Sequence, residues 1–123
     1  VNSARTFIYD TGLAPASAGA ARAALGVLAQ RPDLPARVRA HAKTLADACG
    51  VPVPAGAVLS VEMPGPREAL AAVQTCAEHG LRVGCFRPPS TPDGSSRLRV
   101  TAHADLSEEQ VARAAQVLKA VTA

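Results

Sequence analysis

The sequence predicts an α+β fold: a small antiparallel sheet covered by helices. Two patterns support this fold class. Stripes of apolar residues at helical spacing begin and end at caps or prolines, and three short runs read as strands. Three strands are too few for two packed sheets, so one largely antiparallel sheet with helices against it is expected. The predicted order of elements is α-α-β-α-β-β-α.

The first two predicted elements are helices. Pro15 suits the first turn of a helix, and apolar residues follow it at helical spacing. Asp33 is a good N-cap for the second helix, Pro35 lies in its first turn, and Gly50 ends it. The apolar stripe of the second helix consists of Leu34, Val38, Leu45 and Cys49.

The sequence pattern in the middle of the chain predicts three strands and a third helix. The break at Pro64-Gly65-Pro66 ends the first strand and opens this helix, which Gly80 ends. A loop rich in proline and glycine, residues 88–96, separates the second strand from the third. The three predicted strands comprise residues 57–62, 81–86 and 97–102.

The last helix has the strongest start signal. Ser107 and Gln110 have the spacing of a capping box, and Leu106 and Val111 have that of a hydrophobic staple. The helix therefore begins after Ser107. Its apolar stripe consists of Val111, Ala114, Ala115 and Leu118.

Composition and charge argue against two classes of partner. The net charge is +3 and aromatic residues make up 2% of the chain. Because the arginines are scattered and few rings are present to stack on bases, no nucleic-acid partner is expected. No apolar run approaches the ~20 residues that span a bilayer, and no signal peptide is recognised. We therefore expect no membrane partner and a cytoplasmic location.

The cysteines and histidines do not predict a metal site. The three cysteines have no CxxC spacing, and the three histidines lie far apart in sequence. Cys76 and Cys85 are expected to be buried thiols. The histidines, His41, His79 and His103, are expected to be surface or cap residues.

One stretch, residues 87–99, concentrates polar chemistry. It places three arginines and several hydroxyls around a loop that contains three prolines. Proline restricts the backbone and so lowers the entropy lost on ordering. Period-2 geometry puts Arg97 and Arg99 on the face of their strand opposite its apolar residues. Arg87, which ends the preceding predicted strand, could approach Arg99, and two such guanidiniums would suit a carboxylate.

The same spacing also fits a purely structural interpretation. Exposed strand arginines could pair with acids such as Asp93 or Asp105. Spacing alone does not decide between the two.

The residues of this stretch resemble a known signature. Arg-Pro-Pro-Ser-Thr-Pro at 87–92, with Gly94 and Arg97-Leu98-Arg99, resembles the C-terminal signature of the α-oxoamine synthases. These pyridoxal-phosphate acyltransferases of the aspartate-aminotransferase fold condense an amino acid with an acyl-CoA and lose carbon dioxide. Residues 7–16 resemble the segment where their large domain passes to the small one, in a form similar to actinobacterial members. Residues 104–109 resemble the approach to their last helix.

The resemblance implies a domain organisation and an activity. Residues 1–15 would lead from an absent large domain, and residues 16–123 would form the small C-terminal domain. The Arg-Pro-Pro form is most similar to members that join L-alanine to pimeloyl-CoA in biotin biosynthesis, as homodimers with pyridoxal 5'-phosphate. Neither Lys43 nor Lys119 matches the cofactor-lysine motif, which belongs to the large domain. The chain alone is therefore expected to bind no cofactor and to be inactive.

The resemblance also implies roles for individual residues. Arg87 matches the arginine that meets the carboxylate of the amino acid, and Arg99 matches its partner on the following strand. Ser90 stands where a threonine usually lines the substrate site. Thr11 falls near the hydroxyl residue that reaches the cofactor phosphate of the other subunit, whereas Asp10 departs from the usual serine or threonine.

Two alternatives stay open at this point. One is another α-oxoamine synthase, of the glycine acyltransferase type, with a different acyl-CoA. The other is a non-catalytic α/β binding module, because the β-α-β-β-α order of residues 57–121 is close to a common small-module pattern. In the second alternative Arg87 is an ordinary surface residue.

Overall fold

The computed structural model describes residues 12–123, which form helices and one sheet in the predicted order. The predicted α+β class is therefore confirmed. The elements are α1 (Pro15–Gln30), α2 (Leu34–Cys49), β1 (Val58–Met63), α3 (Pro66–Glu78), β2 (Gly84–Phe86), β3 (Ser96–Thr101) and α4 (Glu108–Thr122).

The chain divides into two compact units, residues 1–32 and residues 33–123. In the first unit, α1 begins with Pro15 in its first turn, as predicted, and buries none of its residues. Its large apolar side chains are exposed: Leu25, Val27 and Leu28. The predicted domain boundary after residue 15 stays a prediction.

The second unit contains a three-stranded antiparallel sheet with the order β1-β3-β2. β3 is the central strand, and Arg99 lies opposite Ser60 of β1 and Gly84 of β2. Alternation along β3 buries Leu98 and Val100 and leaves Arg99 exposed. The prediction that the arginines of this strand point away from the core is confirmed.

Helices α2, α3 and α4 cover the apolar face of the sheet. α2 packs against α4 and β1, and α3 packs against α4 and all three strands. The largest fully buried side chains of this core are Leu98, Leu118, Val111 and Cys76. Burial raises the pKa of the Cys76 thiol, so this residue acts as a small apolar core residue.

The helix ends follow their sequence signals closely. Ser107 Oγ accepts a hydrogen bond from the Gln110 backbone N–H (3.2 Å), and Gln110 Oε1 accepts one from the Ser107 N–H (2.8 Å). The capping box is therefore confirmed. Gly50 ends α2 in the left-handed region, at φ 66°, where a residue with a Cβ is disfavoured. Asp33 lies at the N-cap of α2, but its side chain makes no capping bond there.

The expectation that His41 lies at the surface is wrong. His41 is only 3% exposed, and its Nδ1 donates a hydrogen bond to the backbone carbonyl of His103 at 2.8 Å. The buried ring thus provides a hydrogen-bond donor for a backbone carbonyl that lies after the end of β3, in the connection to α4. Its Nε2 lies 3.7 Å from Glu108 Oε1. His79 is the C-cap of α3, as expected.

Candidate functional site

The site is built on the sheet face that the helices leave uncovered and on the β2–β3 loop. Arg97 lies opposite Glu62 of β1 and Phe86 of β2. The arginines of the central strand β3 are therefore flanked by residues of both neighbouring strands. β2 begins only at Gly84, three residues later than predicted, and ends at Phe86. Arg87 therefore follows the strand directly and belongs to the loop.

Arg97 is neutralised inside its own domain. Its terminal nitrogen donates to Asp93 Oδ2 at 2.7 Å, and its Nε donates to Ser95 Oγ at 2.7 Å. Glu62 lies farther away, at 3.6 Å. Hydrogen bonds from Ser95 and Arg97 hold the pKa of the Asp93 carboxyl well below its usual range. The structural interpretation, an arginine paired with Asp93, is therefore correct for Arg97.

The loop between β2 and β3 is fixed by further internal hydrogen bonds. The Ser90 N–H donates to the Arg87 carbonyl at 2.8 Å, and Thr91 Oγ1 donates to the Ser95 carbonyl at 2.7 Å. Gly94 adopts φ 71° within the turn, a conformation that favours glycine. These bonds, with the three prolines, give the loop a defined shape, which is what a preorganised binding segment requires.

Arg99 is held by an aromatic ring and makes no ion pair with any residue in the range 12–123. Its guanidinium carbon lies 5.0 Å from the centre of the Phe86 ring, within the range of a cation–π interaction. Phe86 is the diagonal neighbour of Arg99 across the strands. The ring fixes the guanidinium from one side and uses none of its N–H donors, so these stay available for an anion.

Arg87 and Ser90 share one shallow depression. It has a volume of about 320 Å³ and is lined by Cys85, Phe86, Arg87, Pro88, Pro89 and Ser90. Both Arg87 and Ser90 are exposed. Within the described part of the chain, the Arg87 side chain forms no hydrogen bond or ion pair. Phe86 lines this depression together with Arg87, and its ring also contacts the Arg99 guanidinium. It is therefore a common neighbour of Arg87 and Arg99.

Sequence reasoning missed Phe86. The signal was present in the alternation of β2, which puts Gly84 and Phe86 on the same face as Arg99. The assigned roles of Arg87, Ser90 and Arg99 stay predictions. Thr11 and Asp10 lie outside the described residues.

Neither lysine lines the depression that contains Arg87 and Ser90. Lys43 pairs with Asp47 at 2.6 Å on the exposed side of α2, and Lys119 is exposed in the last turn of α4. Residues 12–123 thus contribute no lysine to this depression. They also contain no group of three or more histidine, cysteine or acidic side chains that could bind a metal. No helix in the same range is long and apolar enough to cross a membrane.

Comparisons with known proteins agree over most of the chain. The family model for class I and II aminotransferases matches residues 1–118. The chain is 56% identical over 119 residues to the 8-amino-7-oxononanoate synthase of Mycolicibacterium gilvum, covering 96% of this chain and 31% of the relative. The enzyme of the same name from Mycolicibacterium vanbaalenii is 53% identical over 122 residues (98% and 32%).

A solved structure has the same fold. The serine palmitoyltransferase of Sphingomonas wittichii superposes with a TM-score of 0.78 at 25% identity, covering 95% of this chain and 31% of that one. The chain thus spans about a third of the length of the curated relatives it matches.

Proposed function

The chain belongs to the family of class I and II aminotransferases, and on that basis we propose that it is the C-terminal part of an 8-amino-7-oxononanoate synthase. The intact enzyme would condense L-alanine with pimeloyl-CoA and release carbon dioxide, a step of biotin biosynthesis. The 56% identity to a curated enzyme of that name over 96% of the chain supports this proposal.

One structural observation carries the proposal. Of the three arginines around the loop, Arg97 is paired with an acid of its own domain, whereas Arg87 and Arg99 are paired with none in residues 12–123. Unpaired guanidiniums beside a well-ordered loop suit an external carboxylate, because the planar fork donates two parallel hydrogen bonds. The carboxylate of L-alanine is the anion that this activity requires.

The proposed contribution of this chain is to orient the substrate. Arg87 comes from the loop and Arg99 from the central strand, so a carboxylate bound by both is held from two directions. Fixing the carboxylate also fixes the rotation of the substrate Cα, and such positioning can lower a barrier by several kcal/mol. Phe86 limits the freedom of the Arg99 guanidinium and so prepares it for binding.

The cofactor would be held outside this chain. Pyridoxal 5'-phosphate, when bound, supplies the electron sink for bond cleavage at the substrate Cα. Since neither Lys43 nor Lys119 lines the candidate site, its lysine would lie in the remaining two-thirds of the enzyme. We assign no step through the cofactor to the residues described.

The finer parts of the proposal follow the family resemblance. Residues 1–15 would lead from the large domain, and the intact enzyme would be a cytoplasmic homodimer. Thr11 would reach the cofactor phosphate of the other subunit, and the Ser90 hydroxyl would line the substrate site.

The two alternatives are less well supported. The family match over residues 1–118 argues against an unrelated binding module. A different α-oxoamine synthase shares the fold, as the serine palmitoyltransferase shows, but at 25% rather than 56% identity.

The substrate preference of the intact enzyme tests the proposal. Coenzyme A release would be followed for L-alanine, glycine and L-serine, each combined in turn with pimeloyl-CoA, acetyl-CoA and palmitoyl-CoA. We expect L-alanine with pimeloyl-CoA to give the highest kcat/KM. Preference for glycine or L-serine, or for acetyl-CoA or palmitoyl-CoA over pimeloyl-CoA, would assign the chain to another member of the family.

A further inference from the structure

A second cavity lies at the opposite end of β3 from the proline-rich loop. β3 begins at Ser96, next to that loop, and the cavity is lined by its last residues, Val100 and Thr101. The segment of residues 79–83 and helix α4 form its walls. Its volume is about 370 Å³, within the range of small-molecule pockets, roughly 300–1,000 Å³.

The floor of this cavity is apolar. The residues that expose apolar surface to it include Leu81, Val83 and Leu106, which are partly buried. All three pack against the main core, which includes the neighbouring lining residues Leu45, Val100 and Leu118. The core supports these side chains from behind, and a hydrocarbon chain placed on them would lose contact with water.

The formally charged residues that line the cavity are all basic. Arg82 and Arg113 line the cavity, and no aspartate or glutamate of residues 12–123 does. Arg113 is anchored, because its terminal nitrogen donates to the His79 carbonyl at 2.9 Å. Arg82 is exposed and makes no ion pair within the described residues. An anion entering the cavity would meet two guanidiniums and no opposing carboxylate.

A third donor is fixed in place by the start of α4. Gln110 lines the cavity, and its Oε1 is engaged by the Ser107 N–H in the capping box. This bond sets the orientation of the side-chain amide. Its NH₂ group has no hydrogen-bond partner in the described part of the chain, so it is free to donate to a ligand.

From this arrangement we propose that the cavity binds a small amphipathic anion, namely a carboxylate with a short hydrocarbon chain. The carboxylate accepts hydrogen bonds from Arg82, Arg113 and the Gln110 amide, and the hydrocarbon lies on Leu81, Val83 and Leu106. This site is separate from the proposed alanine site, and it does not depend on the proposed catalytic function.

Calorimetric titration of the intact protein with octanoate tests the proposal. We expect saturable binding of octanoate and none of octylamine, which has the same chain and the opposite charge. Arg82→Gln should weaken octanoate binding by about tenfold, the effect of losing one charge-assisted hydrogen bond. Arg39→Gln, at an exposed position of α2 outside the cavity, should leave it unchanged.

A second variant separates binding from folding. Ala114→Leu places a larger apolar side chain in the wall of the cavity and should abolish octanoate binding while the protein stays folded by circular dichroism. Three results would overturn the proposal: no saturable binding, equal binding of octylamine, or the same loss of affinity in Arg82→Gln and Arg39→Gln. If the folded Ala114→Leu protein bound octanoate like the parent, the assigned location would be wrong.

Discussion

Replacing Phe86 by leucine tests whether the ring prepares Arg99 for a substrate carboxylate. The ring lies 5.0 Å from the guanidinium carbon, and Phe86 is 37% exposed. A cation–π interaction at such a partly exposed site contributes about 0.5–1 kcal/mol. If that interaction holds the binding conformation, its loss should raise the KM for L-alanine in the intact enzyme by about two- to fivefold.

The assay compares three versions of the intact enzyme under the same conditions. Phe86→Tyr keeps an aromatic ring and should behave as the parent, whereas Phe86→Leu keeps an apolar side chain and loses the ring. The melting temperature should change little, because the residue lies at the edge of the sheet. An unchanged alanine KM in Phe86→Leu would refute the positioning role. A fall in melting temperature that accompanies every loss of affinity would make Phe86 a structural residue instead.

Three further predictions concern the core, the loop and the cofactor. Leu118→Ala, at a fully buried position, should lower the free energy of unfolding by about 3 kcal/mol in chemical denaturation, whereas Leu70→Ala, at a 46% exposed position, should cost much less. Because the pKa of Asp93 is lowered in the folded state, its contribution to stability is present above the unfolded value of about 4 and declines as the pH falls below it. The difference in unfolding free energy between the parent and Asp93→Asn should therefore shrink below about pH 4, and a constant difference would contradict this. Mixed with pyridoxal phosphate, the 123-residue chain should give no specific imine absorption band, since neither Lys43 nor Lys119 lines the candidate site; a stoichiometric band would contradict this.

Much of the fold follows from local signals that the structure retains. The capping box at Ser107 and the glycine at position 50 mark helix ends because they satisfy or release backbone groups within a few residues. The period-2 pattern of β3 fixed the faces of Arg97 and Arg99 before any partner strand was known. These features depend on short-range geometry, and a single sequence contains them.

Features that depend on distant partners could not be predicted in the same way. β2 is three residues long because only 84–86 find partners on β3, although the alternation begins at Leu81. The burial of His41 depends on a carbonyl 62 residues away in sequence. α1 has the spacing of an amphipathic helix, yet nothing in the spacing shows that its apolar side is exposed.

The candidate site shows the same division. The sequence placed three arginines around one loop, but it could not tell which of them an acid of the same domain would neutralise. The structure assigns Asp93 to Arg97, through hydrogen bonds between residues four apart in the loop. Arg87 and Arg99 are distinguished from Arg97 only by three-dimensional contacts.

The dissociation constant of L-alanine for the intact enzyme tests the central claim most directly. Arg87→Gln removes a guanidinium that has no internal partner in residues 12–123, so L-alanine affinity should fall by roughly tenfold or more at an unchanged melting temperature. Arg67→Gln, an exposed arginine of α3, is the matched control and should change neither value. Parental alanine affinity in Arg87→Gln, or a loss of affinity matched by a loss of thermal stability, would contradict the assignment of this arginine to the substrate carboxylate.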